Sequence, residues 1–199
     1  MSRVKRRRTS LIYWGLWVIL RILFKIIWRN QIIGYGNVPK TGGVIFAPNH
    51  ISNLDPPYIA CCSKRAGFAM GKKELFKNPI FAYFLRNKFN TIPIKRSEQD
   101  IKALRYILDL LKSGEMVGIF PEGTRSKDGN IGKARPGIGM IACNAQVPVI
   151  PVRLVNTDKL LKFKPLKITF GKPLLPPKIF EKDDYKKFAD SIVEEIKKL

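Results

Sequence analysis

Residues 98–120 read EQDIKALRYILDLLKSGEMVGIF, and the fold class follows from their pattern. Ile101, Leu104, Leu108 and Leu111 fall at i, i+3, i+7 and i+10, which predicts a helix from Glu98 to Lys112 with one apolar stripe. Ser97 with Asp100 resembles a capping box at its start, and Gly114 suits its end. MVGIF, Met116–Phe120, then reads as a short buried strand. Working outward, VIFAP from Val44, FNTIPI from Phe89, VPVIPVRL from Val147 and LKITFG from Leu166 read as further strands. A last helix is expected at about Asp184–Leu199, with Phe188, Ile192, Val193 and Ile196 on one face. Strands alternating with helices imply an α/β fold: a largely parallel mixed sheet covered by helices on both faces.

Composition narrows the possible functions. The chain has 199 residues, enough to bury roughly 70% of its unfolded surface without disulfides or metal. Its net charge is +22 with 45% hydrophobic residues, so it has a core and also an anionic partner to meet: nucleic acid, an acidic membrane surface, or an acidic ligand or carrier protein. Three cysteines without framework spacing suggest reduced thiols, with Cys61 and Cys62 packed in an apolar helix. His50 is the single histidine.

Residues 1–30 stand apart from the α/β domain expected over 31–199. Arg3, Lys5, Arg6, Arg7 and Arg8 precede LIYWGLWVILRILFKIIW, Leu11–Trp28. As a helix this stretch is about 27 Å long, slightly short of a bilayer core. Arg21, Lys25 and Arg29 share one face at i, i+4 and i+8. The expectation is an amphipathic helix lying in the membrane interface with its cations toward headgroups; a spanning helix and a helix packed on the protein itself are the alternatives.

Two polar loops follow predicted strands. Asn49-His50-Ile51-Ser52-Asn53-Leu54-Asp55-Pro56-Pro57 offers an imidazole with a carboxylate five residues on. Asp55 can fix the tautomer of His50 only if the chain turns between them, and Asp55 as N-cap with Pro56 after it supplies such a turn. Read alone, the pair is equally a surface histidine and a capping aspartate. Pro121-Glu122-Gly123-Thr124-Arg125-Ser126 crowds anion-seeking groups after Phe120, or forms an exposed turn with a Glu–Arg pair. Lys95 and Arg96 close a third strand end.

Together these loops resemble the glycerolipid acyltransferases. NHISNLD carries their H-x4-D motif and FPEGTRS their second signature, about 70 residues later; GKKEL (Gly71–Leu75), IPIKR (Ile92–Arg96) and VPVIPV (Val147–Val152) extend the likeness from Gly34 to Gly171. The chain looks like a 1-acylglycerol-3-phosphate acyltransferase of the PlsC type, departing from many members in having Lys95 before Arg96. The resemblance implies acyl transfer from a thioester on acyl carrier protein or coenzyme A, used as co-substrate, to the sn-2 hydroxyl of lysophosphatidic acid. It implies His50 as base and Asp55 as its partner, with no metal or bound cofactor. Arg125, Arg96 and Lys72 would take the acceptor phosphate, and Glu122, Gly123 and Thr124 would complete the substrate-binding loop. Backbone N–H groups near Val149–Pro151 are the expected oxyanion donors. The chain has no GxSxG elbow, which favours direct attack on the thioester. The implied location is the cytoplasmic face of the cell membrane, monotopic or peripheral. Other acceptors, such as glycerol-3-phosphate or another lysolipid, fit the same motifs. A nucleic-acid-binding protein or a membrane scaffold without catalysis is the reading from other classes. Against nucleic acid, the most apolar segment adjoins the most basic one, which suits a membrane surface.

Overall fold

The computed structural model describes residues 11–63, 65–87, 90–94, 100–126 and 128–199. Seven strands form one sheet: β1 (Gln31–Ile33), β2 (Val44–Pro48), β3 (Gly67–Lys72), β4 (Thr91–Ile94), β5 (Met116–Gly118), β6 (Val149–Val155) and β7 (Lys167–Phe170). Their order is β1-β7-β6-β2-β5-β3-β4, parallel except where β7 runs against β6. The largely parallel mixed sheet is as expected.

The central strand shows why both faces must be covered. All five residues of β2 are buried, and its side chains alternate. Ile45 and Ala47 enter one core with Ile107, Leu110, Ile138, Ile192 and Ile196; Val44 and Phe46 enter the other with Tyr58, Ile150, Leu154 and Phe170. The first core is roofed by α4 (Ile101–Lys112), α5 (Pro136–Ala145) and α6 (Lys182–Lys198); the second is covered by α2 (Asp55–Cys62) and α1 (Leu11–Ile27). Helix α3 (Pro79–Asn87) packs beside the edge strand β4. Gly139 lets α5 and α6 touch, since a Cβ there would fall 2.0 Å from the carbonyl oxygen of Tyr185. Arg65 ties three loops at the amino end of the sheet, donating to the carbonyls of Pro39, Gly42 and Gly114.

Several sequence expectations shift in detail. Helix α4 begins at Ile101, capped by Asp100, whose carboxylate accepts from the Ala103 N–H at 3.0 Å; residues 97–99 of the expected capping box lie outside the described residues. Its buried stripe is Ala103, Ile107, Leu110 and Leu111, while Ile101 is exposed and Leu104 and Leu108 sit at the margin. Two apolar stripes overlap on this helix, and packing against the sheet selects the second. Helix α6 starts at Lys182, with Glu181 and Asp184 forming a capping box. Asp55 is the first residue of α2 rather than its N-cap, which is Leu54. Strands β1 and β3 and helices α3 and α5 were not expected from the sequence.

Helix α1 occupies the expected apolar stretch. Arg21, however, is half-buried beside Cys61 and Cys62, not on an outer cationic face with Lys25 and Arg29. Phe24 meets Tyr58 edge-on at 5.3 Å, and Trp28 is part-buried on the second core, so the aromatic residues seat the helix on the domain. Among the described residues no helix is long and apolar enough to cross a membrane. The basic cluster Arg3–Arg8 lies outside the described residues.

Candidate active site

Three neighbouring strands, β6, β2 and β5, run out at their carboxyl ends into the loops that matter, the usual place for a site in an open parallel sheet. The loop after β2 folds back on itself so that Asp55 faces His50. The Nδ1–H of His50 donates to Asp55 Oδ2 at 2.8 Å, and the backbone N–H groups of Ile51 and Ser52 donate to the same oxygen at 2.8 Å each. The hydroxyl of Thr157, just past β6, donates to Oδ1 at 2.5 Å. Four donors converge on one wholly buried carboxylate, three on Oδ2 and one on Oδ1. An ionised carboxylate only accepts, so the proton of a neutral His50 sits on Nδ1 and Nε2 keeps its lone pair. The closeness of His50 and Asp55 is local in sequence; their orientation is not.

Phe120, at the end of the β5 run, stacks on the His50 ring with centroids 3.8 Å apart and planes 20° apart. Glu122 straps the two loops together. Its Oε1 accepts from the His50 backbone N–H at 3.1 Å and its Oε2 from the Gly132 N–H at 2.9 Å. The Ser126 N–H donates to the His50 carbonyl at 2.8 Å, closing the strap from the other side. Asn49, also buried, exchanges two hydrogen bonds with the Leu154 backbone and so fixes the β2 end against β6.

His50, Asp55 and Glu122 are thus brought together and buried. Gly123 turns the chain with φ +70°, where a side chain is strained and a Cβ would fall 2.7 Å from Arg135 Cδ. Thr124 and Arg125 are exposed at the rim. Lys72 ends β3, one strand beyond β5, and is exposed. Arg96 lies outside the described residues. The oxyanion donors expected near Val149–Pro151 do not hold: the Val149 N–H donates to the Leu174 carbonyl at 2.9 Å, Ile150 lies within the β2–β6 ladder, and Pro151 has no N–H. The sequence reading did not single out Thr157, Asn49, Phe120 or Arg135. Arg135 could have been suspected as a cation soon after the second motif, and Asn49 and Phe120 as the residues that head the two motifs; Thr157 carries no local signal. Burial pushes the thiols of Cys61 and Cys62 up to about 12 and about 11, so both stay protonated at neutral pH and are poor nucleophiles.

Comparison with known proteins agrees with the paired motifs. The family described as Acyltransferase matches residues 29–155, well over half of the chain. A 1-acyl-sn-glycerol-3-phosphate acyltransferase of Bacillus subtilis is 33% identical over 166 residues, covering 78% of each chain. A chloroplastic 1-acyl-sn-glycerol-3-phosphate acyltransferase of Arabidopsis thaliana is 32% identical over 137 residues, and its counterpart from Brassica napus 31% identical over the same length. The present chain matches only 38% and 39% of the length of those two plant proteins. The crystal structure of the LPA acyltransferase PlsC from Thermotoga maritima superposes with a TM-score of 0.67, covering 94% of this chain and 89% of that one, at 24% identity, and so shares its fold. By sequence the chain belongs to the Acyltransferase family.

Proposed function

We propose that this chain transfers a fatty acyl group from a thioester, on acyl carrier protein or coenzyme A, to the sn-2 hydroxyl of lysophosphatidic acid. The observation that carries the reading is the buried His50–Asp55 pair, whose Nε2 is left free beside a loop that presents Arg125. Nε2 takes the proton from the acceptor hydroxyl as its oxygen attacks the thioester carbonyl. Asp55 offsets the positive charge that appears on the ring. The tetrahedral intermediate then collapses, the carbon–sulfur bond breaks, and the thiolate leaves with the proton returned by His50. No acyl-enzyme is needed. Arg125, with Arg96 and Lys72, binds the acceptor phosphate; Glu122, Gly123 and Thr124 shape the loop that receives the glycerol. Helix α1 attaches the protein to the membrane as a peripheral element. The deciding experiment supplies purified protein with lysophosphatidic acid, glycerol-3-phosphate and neutral lysolipids, each with both donors, and identifies the products. Phosphatidic acid as the dominant product supports the reading; acylation confined to a phosphate-free acceptor would sink it.

Arg125→Ala is expected to lower kcat/KM for lysophosphatidic acid about tenfold to a hundredfold, as for one charge-assisted hydrogen bond. A lysolipid lacking the phosphomonoester should be little affected, and equal losses on both acceptors would make Arg125 a purely structural residue.

Thr157 touches no reacting atom in this scheme and acts as a positioning residue through Asp55. Thr157→Val keeps the shape and removes the hydroxyl. The expected result is a fall in kcat of about tenfold or more with KM unchanged, since a hydrogen bond to a charged group is worth at least ~1.5 kcal/mol. Thr157→Ser should restore most of it. Near-normal kcat in Thr157→Val, with a loss in Thr157→Ser, would mean that the methyl group, not the hydroxyl, is what the site uses.

A further inference from the structure

The segment Thr157–Lys162, two 3₁₀ turns broken at Lys159, joins the active site to an apolar surface. It begins at Thr157, 1% exposed and bonded to Asp55. Within six residues it turns outward: Leu161 is 93% exposed and Phe163 58%. Lys159, Lys162 and Lys164 are interleaved with them.

A lone exposed leucine would need no explanation. This one continues a larger surface. The Trp28 indole N–H donates to the Leu160 carbonyl at 2.8 Å, and the Trp28 ring stacks on Phe163 with centroids 6.0 Å apart. The segment is therefore fastened to the carboxyl end of α1. There Leu23, Ile26 and Ile27 are between 39% and 71% exposed, with Lys25 and Arg29 among them also exposed.

An apolar patch interleaved with cations fits a partner that is greasy inside and negative at its surface, which is an anionic phospholipid bilayer. A second copy of this chain would set lysine against lysine and pay like-charge repulsion. Nucleic acid would leave Leu161 in water. We propose that residues 157–164 form a second lipid-contacting element beside α1, which seats Leu161 and Phe163 among headgroups and holds the mouth of the His50–Asp55 site against the bilayer. The inference deepens the acyltransferase reading and rests on it for its purpose: an acceptor with a long acyl chain resides in the membrane, and the segment that meets the lipid is the one that also holds Asp55.

The test uses the full chain and sedimentation with vesicles of phosphatidylcholine alone or mixed with phosphatidylglycerol. Leu161→Asp should weaken partitioning onto the mixed vesicles by about tenfold, the factor for losing one buried leucine side chain. Leu161→Trp should tighten it, because the indole favours the interface. At 93% exposure Leu161 contributes little to the core, and circular dichroism of both variants should match the parent. Partitioning of Leu161→Asp within about twofold of the parent, the range of an inert surface change, overturns the proposal. So does a change of oligomeric state on size exclusion with vesicle binding unaltered, which would make the patch a contact between copies. Turnover of the unmodified protein is measured in parallel. If no acceptor is acylated while the Leu161 variants still shift vesicle binding, the acyltransferase reading falls and the lipid contact stands.

Discussion

His50→Ala is expected to lower kcat for acyl transfer by about 10²–10⁴-fold, the usual worth of general-base assistance. An alcohol is a poor nucleophile while it keeps its proton, and His50 is the single imidazole in the chain. The fold should survive the change, because the bonds that place the loop come from the backbone of residue 50. Its N–H donates to Glu122 and its carbonyl accepts from Ser126, and alanine keeps both. What is lost is the stack on Phe120, worth about 0.5–1.5 kcal/mol of stability, and the Nδ1–H donor to Asp55, whose carboxylate keeps the Ile51, Ser52 and Thr157 donors. An imidazole base works only in its neutral form, so the parent should lose activity at acid pH, and that limb should be missing from the residual activity of the variant. Turnover is read by product analysis across a pH series, with thermal melting as the control for folding. Near-normal acyl transfer by a folded His50→Ala protein would end the mechanism.

Asp55→Asn should cost nearly as much in kcat, again about 10²–10⁴-fold, while disturbing the fold less than its burial suggests. An asparagine can put its carbonyl where Oδ2 lies and accept from the N–H groups of Ile51 and Ser52. Its amide can then donate to the Thr157 oxygen, which reverses its role from donor to acceptor. The hydrogen bonds that shape the loop are kept, and what disappears is the negative charge opposite the imidazolium that forms as the acceptor is deprotonated. Asp55→Ala removes those acceptors as well and should lower the melting temperature clearly more than Asp55→Asn. The double variant His50→Ala/Asp55→Asn should be little slower than His50→Ala alone, since a pair working as one unit is not additive. Losses that multiply in the double variant would show that Asp55 acts on the reaction independently of His50.

The legible part of this protein is what depends on residues near each other in the chain. Alternating apolar runs announced an α/β sheet, and the strand Val44–Pro48 lies where its five apolar residues put it. The pairing of His50 with Asp55 could be suspected because only a turn separates them, and Asp55-Pro56-Pro57 marks locally where that turn ends and a helix starts. Strands β1 and β3 escaped for the opposite reason. QII is too short to show a period, and GFAMGK is only partly buried, so each exists because a neighbour pairs with it. On α4 the helical period pointed to the stripe Ile101, Leu104, Leu108 and Leu111, and contact with the core chose Ala103, Ile107 and Leu110 instead, with Leu111 common to both.

The Ile51 and Ser52 N–H groups that hold Asp55 are local, but the other contacts that orient the candidate pair were decided at tertiary level. Pro48 lies opposite Val152 in the β2–β6 register, which brings Thr157 to Asp55 across 102 positions of sequence. Phe46 lies opposite Gly118 in the β2–β5 register, which brings Phe120 over the imidazole and Glu122 to the His50 N–H. The physical reason is range. Periodicity and turn chemistry act over a few residues, whereas the fourth hydrogen bond on a buried carboxylate, or the ring that covers an imidazole, depends on which strands lie side by side. That choice is made by burying both faces of β2 at once.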